Sequence, residues 1–139
     1  MSPTIVTSAG KPIVAVGSPG GSMIITTVLQ ILLNDLDFGM TLPEAIAAPR
    51  ASQRNTADVF AEPAFIASAE GQALRTLGHT YASPPPAEIG AATGIAFFAD
   101  GIFQAVAEPV RRGGGSAMVA EPAPAAAFLG ASARRARVH

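Results

Sequence analysis

The sequence predicts an antiparallel-rich α+β fold. Two short β-rich segments, residues 4–7 and 12–16, are joined by a glycine-containing loop and read as a hairpin. A long apolar helix is predicted over residues 20–37. Later, residues 93–99 and 102–107 flank an Asp-Gly dipeptide and predict a second hairpin. Because these strands come in hairpins and do not alternate with helices, the order favours α+β over a parallel βαβ arrangement.

Composition sets the broad class of the protein. The 139 residues suit one domain, and 49% of them are hydrophobic while only 14% are charged. The net charge of -1 gives no indication of a nucleic-acid partner. The absence of cysteine excludes disulfides, thiolate chemistry and cysteine-based metal sites. So few charges predict that part of the surface is covered by another polypeptide.

The helix over residues 20–37 carries one narrow polar stripe, which predicts burial on most sides. The stripe consists of Thr26, Thr27, Gln30, Asn34 and Asp37. Gly39 is placed to end this helix.

A second, short helix is predicted from a capping box in which Glu44 follows Thr41 by three residues, and it ends near Pro49. A short strand over 58–61 and a helix over 66–77, closed by Gly78, follow.

Two features complete the outline. Asp100 and Gly101 favour a two-residue type I′ turn between the last two strands. From residue 120 onward the chain is biased towards Ala, Pro and Arg without periodicity, so residues 120–139 are predicted to form a disordered tail with a solvated basic cluster at Arg134, Arg135 and Arg137.

The hexapeptide GSPGGS at residues 17–22 is the main candidate site. It lacks the Lys of a phosphate-binding loop and the spacing of a dinucleotide fingerprint. Two interpretations remain. Gly20 and Gly21 could direct free backbone N–H groups at a developing negative charge, as an oxyanion hole does. Alternatively, the segment is a tight strand-to-helix turn with Ser18 as N-cap and Pro19 at the first helical position.

The remaining polar candidates have simpler structural interpretations. Thr26 and Thr27 are mid-helix residues whose hydroxyls are expected to bond to the preceding turn. Glu44 is interpreted as a helix cap and not as an acid catalyst. His79 is expected at the surface and His139 in the tail, so no metal site is predicted.

The order and spacing of several segments resemble the C-terminal part of the small subunit of γ-glutamyltranspeptidases. These segments are MSPTIV, the short hairpin, GSPGGS and IITTVLQILLNDLDFGMTLPEAIAAPR, and later Asp-Gly followed by FQAVAEPVRRGGGSA. The resemblance covers residues 1–119, is most specific over 1–50, and leaves the tail of 120–139 without a counterpart.

The resemblance implies a fold and a chemistry. The fold would be part of the four-layer αββα sandwich of N-terminal-nucleophile (Ntn) hydrolases. An N-terminal Thr would attack a γ-glutamyl amide such as glutathione, and the acyl-enzyme would pass its acyl group to water, an amino acid or a peptide. Gly20 and Gly21 match the family's oxyanion-hole glycines, and no cofactor or metal is implied.

The resemblance also implies what this chain does not carry. The family's nucleophilic Thr, its adjacent serine pair and its α-amino-binding acidic residue are expected upstream, and a substrate-binding arginine belongs to the large subunit. We therefore expect the chain alone to be inactive, to have the rest of the small subunit and the large subunit as partners, and to self-associate when excised. Ser2 and Ser22 are candidate substrate-binding residues, and the family's location is periplasmic or secreted.

Departures from the family pattern leave two alternatives open. Met23 stands where the family usually has Arg, and AEPVRR replaces the usual ASDPR, so Glu108 and Arg111 match only loosely. Arg111 and Arg112 are expected in a loop that contacts the partner subunit. The alternatives are a non-catalytic module that binds a partner or small anion at Gly20 and Gly21, and an acylase that uses the same scaffold for another acyl group.

Overall fold

A five-stranded antiparallel sheet forms the centre of the molecule. The computed structural model describes residues 3–117 and 119–120. The strands lie in the order β1-β2-β5-β6-β7, with β3 and β4 in a separate two-stranded sheet. Their bounds are β1 Thr4–Ser8, β2 Lys11–Gly17, β3 Ala51–Ser52, β4 Phe60–Ala61, β5 Thr93–Phe97, β6 Phe103–Val106 and β7 Val119–Ala120.

Four helices accompany the strands in the described part of the chain. They are α1 Ile24–Leu36, α2 Leu42–Ala47, α3 Pro63–Ala67 and α4 Ala69–Thr76. None of them is long and apolar enough to cross a membrane.

Helices α1 and α2 cover one face of the main sheet. Alternate residues of β2, Val14 and Val16, point to this face and are buried, as the period of two in a strand requires. They join a core that also contains Val28, Ile31, Leu42, Ala45, Ile46, Ala92 and Val106. On the opposite face, Ile5 and Ile95 stay exposed. The described residues therefore form one helical layer on one sheet.

The first hairpin joins the two predicted strands, β1 and β2, through a two-residue turn. Residues Ser8 and Lys11 pair across it, and both Ala9 (φ 49°) and Gly10 (φ 76°) have positive φ, which a type I′ turn requires.

The predicted turn type of the second hairpin is wrong, although the hairpin itself is confirmed. Phe98 N–H donates to the Ile102 carbonyl and Gly101 N–H to the Phe98 carbonyl, so three residues form the loop. Gly101 has φ 84°, whereas Asp100 has no positive φ. This is the three-residue pattern of a turn followed by a bulge at glycine.

The capping box at the start of α2 is confirmed. Glu44 Oε2 accepts the Thr41 amide at 2.8 Å and the Thr41 hydroxyl at 2.6 Å.

Two predicted helices differ in their bounds. Helix α1 begins at Ile24, after a 3₁₀ turn over Gly21–Met23, rather than at residue 20. The helix predicted over 66–77 is two helices, because Ser68 adopts an extended backbone (ψ 165°) and caps α4 by accepting the Gly71 amide at 3.1 Å. The strands β3 and β7 were not predicted. Ala120, the first residue of the predicted tail, belongs to β7, and residues 121–139 of that tail lie outside the described residues.

Candidate oxyanion site

The loop that joins β2 to α1 has a backbone that requires glycine. Gly20 has φ 145° and Gly21 has φ 57°, both in the region that side chains disfavour. An added Cβ on Gly20 would lie 3.5 Å from the Gly90 Cα, so the loop also packs closely on a second segment. The positive φ at both positions is therefore what requires glycine.

The loop leaves two adjacent amides free. The Gly20 carbonyl accepts the Met23 amide at 3.1 Å, and the Gly21 carbonyl accepts the Ile24 amide. Among the described residues, by contrast, no acceptor is bonded to the N–H groups of Gly20 or Gly21. These N–H groups begin a helical segment whose dipole favours negative charge at this end. The arrangement can therefore bind an anion or an oxyanion.

The capping role predicted for Ser18 is wrong. Ser18 is fully buried, its Oγ donates to the Pro19 carbonyl at 2.7 Å, and the same Oγ accepts the Ala91 amide at 3.1 Å. Its hydroxyl is used in a contact with a segment more than 70 residues away in the chain, so it is not available to the helix start. Pro19 correspondingly lies before the 3₁₀ turn and not in the first turn of a helix.

The other predicted residues near the loop are placed as follows. Ser22 is exposed, and Arg54 Nη1 donates to its hydroxyl while the guanidinium lies 4.8 Å from the centre of the Phe60 ring. Ser2 lies outside the described residues. Sequence reasoning missed Arg54, because a contact across 32 residues leaves no spacing signal.

The two threonines predicted as mid-helix residues lie in the first turn of α1, but they have the predicted structural role. Thr26 and Thr27 both donate to the Met23 carbonyl, at 3.0 and 2.9 Å. These bonds confirm the interpretation of hydroxyls bonded to the preceding turn.

Behind the loop lies a cluster of four buried charged residues that the sequence did not reveal. Arg50 pairs with Glu108 at 2.8 Å, and Arg111 pairs with Glu108 at 2.9 Å and with Glu62 at 2.6 Å. The charges sum to zero, which is the condition under which such groups can be buried. The prediction that Arg111 lies in a loop contacting a partner subunit is wrong, since only 4% of the residue is exposed. It is held inside by two carboxylates, whereas the neighbouring Arg112 is exposed.

Burial and pairing compete in setting the pKa values of this cluster. Burial raises the pKa of Glu62, but the hydrogen bonds from Arg111, Ile89 and Arg50 outweigh it and hold the value below normal. Burial and the nearby charge of Arg111 lower the pKa of Arg50. For Arg111 burial acts in the same downward direction, yet the two carboxylates raise the net pKa. The shifts of Glu62 and Arg111 therefore both favour the charged form of these two groups.

The structure offers no metal site within the described residues. No three His, Asp or Glu side chains there are grouped closely enough to hold an ion. His79 follows the end of α4 and is exposed, as predicted.

Comparison with known proteins identifies the scaffold. The family model for gamma-glutamyltranspeptidase matches residues 1–118. The chain is 47% identical over 88 residues to a glutathione hydrolase proenzyme of Pseudomonas sp. (strain A14), covering 63% of this chain and 15% of that protein. It is 33% identical over 114 residues to the glutathione hydrolase proenzyme of Bacillus subtilis (strain 168), covering 81% of this chain and 19% of that protein. The chain thus spans less than a fifth of the length of these two relatives.

Solved structures agree with the sequence match. A mutant gamma-glutamyltranspeptidase from Pseudomonas nitroreducens superimposes with a TM-score of 0.73 and 29% identity, over 88% of this chain and 62% of that one. A cephalosporin acylase from Bacillus halodurans gives a TM-score of 0.71 and 27% identity, over 88% of this chain and 22% of that one. These neighbours confirm the predicted fold class, a mixed helix and antiparallel-sheet part of an Ntn-hydrolase scaffold. With the family model matching most of the chain, the protein belongs to the gamma-glutamyltranspeptidase family.

Proposed function

We propose that this chain is the oxyanion-binding segment of an enzyme that cleaves γ-glutamyl amides, glutathione among them. The enzyme forms an acyl-enzyme and transfers the acyl group to water, amino acids or peptides. The observation that carries the proposal is the pair of adjacent amides at Gly20 and Gly21, which have no acceptor among the described residues and lie at the start of a helical segment. Backbone donors in this arrangement stabilise the negative oxygen of a tetrahedral intermediate without having to reorganise.

In this function the chain supplies the groups that bind and position the oxyanion, and it supplies no nucleophile. The curated relatives are proenzymes several times longer than the chain, which supports a parent protein that supplies the remaining groups. We accordingly assign the remainder of a small subunit and a large subunit as partners, and a γ-glutamyl compound as substrate. Ser22, exposed beside Gly21, is the described polar side chain nearest in sequence to these amides and remains a candidate substrate contact.

Replacing Gly21 in the full-length enzyme tests the oxyanion role. A Gly21→Leu variant strains the backbone at φ 57° and places a side chain beside the free amides. We expect the acylation rate with a chromogenic γ-glutamyl anilide to fall by about 10²-fold, the typical effect of losing one oxyanion donor.

The matched control is Gly39→Leu, since Gly39 has φ 70° and, like Gly21, would place a Cβ in open space. This variant carries similar backbone strain at the far end of α1 and should retain the acylation rate. Turnover by Gly21→Leu equal to that of the parent would reject the oxyanion role.

A second candidate function is that of an acylase, which differs from the first only in the acyl group of its substrate. It is supported by the similarity to the cephalosporin acylase structure, and by 33% identity over 107 residues to an acylase proenzyme of Pseudomonas sp. (strain SE83). A glutaryl anilide, which lacks only the α-amino group of the γ-glutamyl compound, separates the two. Preference for the γ-glutamyl anilide supports the first candidate, and preference for the glutaryl anilide supports the acylase.

A further inference from the structure

We propose that Ser18 and Gly90 are positioning residues that fix the oxyanion loop onto the segment of residues 89–92. This inference rests on the proposed function, since it gives these two residues a role in catalysis through Gly20 and Gly21. Both residues are buried, and Gly90 lies where the second segment meets the loop at Gly20.

The Ser18 hydroxyl connects the loop to the interior by donating one hydrogen bond and accepting another. It donates to the Pro19 carbonyl at 2.7 Å, and it accepts the Ala91 amide at 3.1 Å. The donated bond fixes the peptide that leads into Gly20. The accepted bond connects that peptide to a segment distant in sequence. Since Ser18 is fully buried, water cannot replace either bond.

Gly90 allows this contact because it has no side chain. Its φ is 69°, and an added Cβ would lie 2.6 Å from Ser18 Oγ and 3.0 Å from Thr27 Cγ2. Real Cβ atoms do not approach other atoms as closely as 2.6 Å, so any side chain here would displace the Ser18 hydroxyl. Thr27 also holds the loop, because it donates to the Met23 carbonyl at 2.9 Å.

The buried charged cluster makes residues 89–92 a rigid support. Glu62 Oε1 accepts the Ile89 amide at 2.7 Å, and Arg50 Nη1 donates to the Ile89 carbonyl at 2.7 Å. On the other side of Gly90, Glu108 Oε2 accepts the Ala92 amide at 3.1 Å. Bonds to charged groups are the stronger class of hydrogen bond, and here they hold the backbone on both sides of the Ser18 contact. The loop is therefore positioned by a chain of contacts that runs from the cluster through residues 89–92 to Ser18.

Two substitutions in the full-length enzyme test this chain of contacts. Ser18→Ala removes the hydroxyl without adding volume, and Gly90→Ala places a methyl group against it. The matched control for Gly90→Ala is Gly39→Ala, because Gly39 has φ 70° with no atom within 4 Å of its added Cβ. The control for Ser18→Ala is Ser8→Ala, at the exposed end of β1.

Two readouts are needed. The first is amide hydrogen exchange of the peptides that cover residues 18–23, with the rest of the protein as reference. The second is the acylation rate and KM with the γ-glutamyl anilide. We expect faster exchange at 18–23 in Ser18→Ala and Gly90→Ala only, and an acylation rate reduced by about ten- to a hundredfold with KM changed far less, because a small misplacement of catalytic groups lowers mainly the chemical step. The Ser18→Ala/Gly90→Ala double variant should lose less than the product of the two single effects, since the clash and the lost bond share one atom.

The outcomes separate this inference from the function on which it rests. Unchanged exchange at 18–23 in both variants would overturn the positioning role whatever the activity. Faster exchange with an unchanged acylation rate would overturn it as well, because the loop would then be held for a reason other than catalysis. If the parent enzyme cleaves neither anilide, the proposed function fails, while the exchange data still decide whether Ser18 and Gly90 hold the loop.

Discussion

Glu62 joins the buried cluster to the backbone around it through four hydrogen bonds. Its two oxygens accept Arg111 Nε and Nη2 at 2.6 Å each, the Ile89 amide at 2.7 Å and the Arg50 amide at 2.9 Å. Charged groups so deeply buried contribute little net stability as a balanced set, but removing one member leaves the others uncompensated. The residue is therefore more important for the integrity of the fold than its charge alone would indicate.

Glu62→Gln removes one negative charge from this cluster and leaves two arginines facing Glu108 alone. We expect the free energy of unfolding to fall by about 3–5 kcal/mol, the usual effect of breaking a buried ion pair. Glu70→Gln, at the exposed start of α4, is the matched control and should lower the free energy of unfolding far less, because solvent screens its charge. Urea denaturation of the purified proteins measures both, and equal midpoints for the two variants would contradict the assignment.

The depressed pKa of Glu62 also predicts acid sensitivity. Folding favours the ionised form of Glu62. The stability that this carboxylate contributes is therefore fully present above its ordinary pKa of 4.5, and it is lost as the pH falls through the lower pKa that Glu62 has in the folded protein. The free energy of unfolding of the parent should therefore decrease below about pH 4.5. Urea titrations from pH 7 to 3 give the free energy of unfolding of the parent and of Glu62→Gln. The difference between these two free energies isolates the effect of Glu62 from that of the other carboxylates. A difference that stays constant across that range would contradict the prediction.

At the scale of elements, the junction between α3 and α4 shows how one polar residue divides a helical pattern. Ser68 turns the backbone, accepts the Gly71 amide and so starts a new helix. Gly71 is buried against the end of α3, and Tyr81 Oη donates to its carbonyl at 2.8 Å. The two helices can meet this closely only because residue 71 has no side chain.

Gly71→Ala tests this junction. An added Cβ would lie 2.1 Å from the Phe65 carbonyl oxygen and 3.0 Å from that of Ile66, both rigid backbone atoms. We expect a loss of about 1–3 kcal/mol, although alanine usually stabilises a helix. Thr76→Ala, in the last turn of α4, is the control and should be near neutral. A stabilised Gly71→Ala protein, measured by thermal unfolding, would show that the helices do not pack as described.

At the scale of the whole molecule, the covering of the sheet and of α1 is incomplete. Helix α1 was predicted to be buried on most sides, but only Thr27, Val28 and Ile31 are buried. Along its outer side Ile25 is 76% exposed and Leu29 is 53% exposed. The prediction is wrong for this chain because the described residues supply a layer on only one side of the helix.

We therefore expect the isolated chain to self-associate through the outer side of α1. A Leu29→Lys/Leu33→Lys variant should shift the protein towards monomer in light scattering at several concentrations, since both residues lie on this side of the helix and are exposed. Leu77→Lys, at a leucine after α4 that is more exposed than either, is the control and should leave the association unchanged. A monomeric parent chain would contradict the prediction.

Features that depend on near neighbours could be predicted without the structure. The first hairpin, the capping box of Thr41 and Glu44, the back-bonded threonines and the need for glycine at residues 20 and 21 all follow from interactions within a few residues, so composition and spacing suffice to predict them. The order of these segments also sufficed for the resemblance to the family.

Features that join distant residues became visible only in the folded chain. The cluster of Arg50, Glu62, Glu108 and Arg111 spans 62 positions along the chain, and its members look like ordinary surface charges in the sequence. In the same way Ser18 was expected to cap a helix, because nothing near it reveals that Ala91 will occupy its oxygen. Burial changes the partners of a polar group, and burial is set by how the elements pack, which local sequence does not specify.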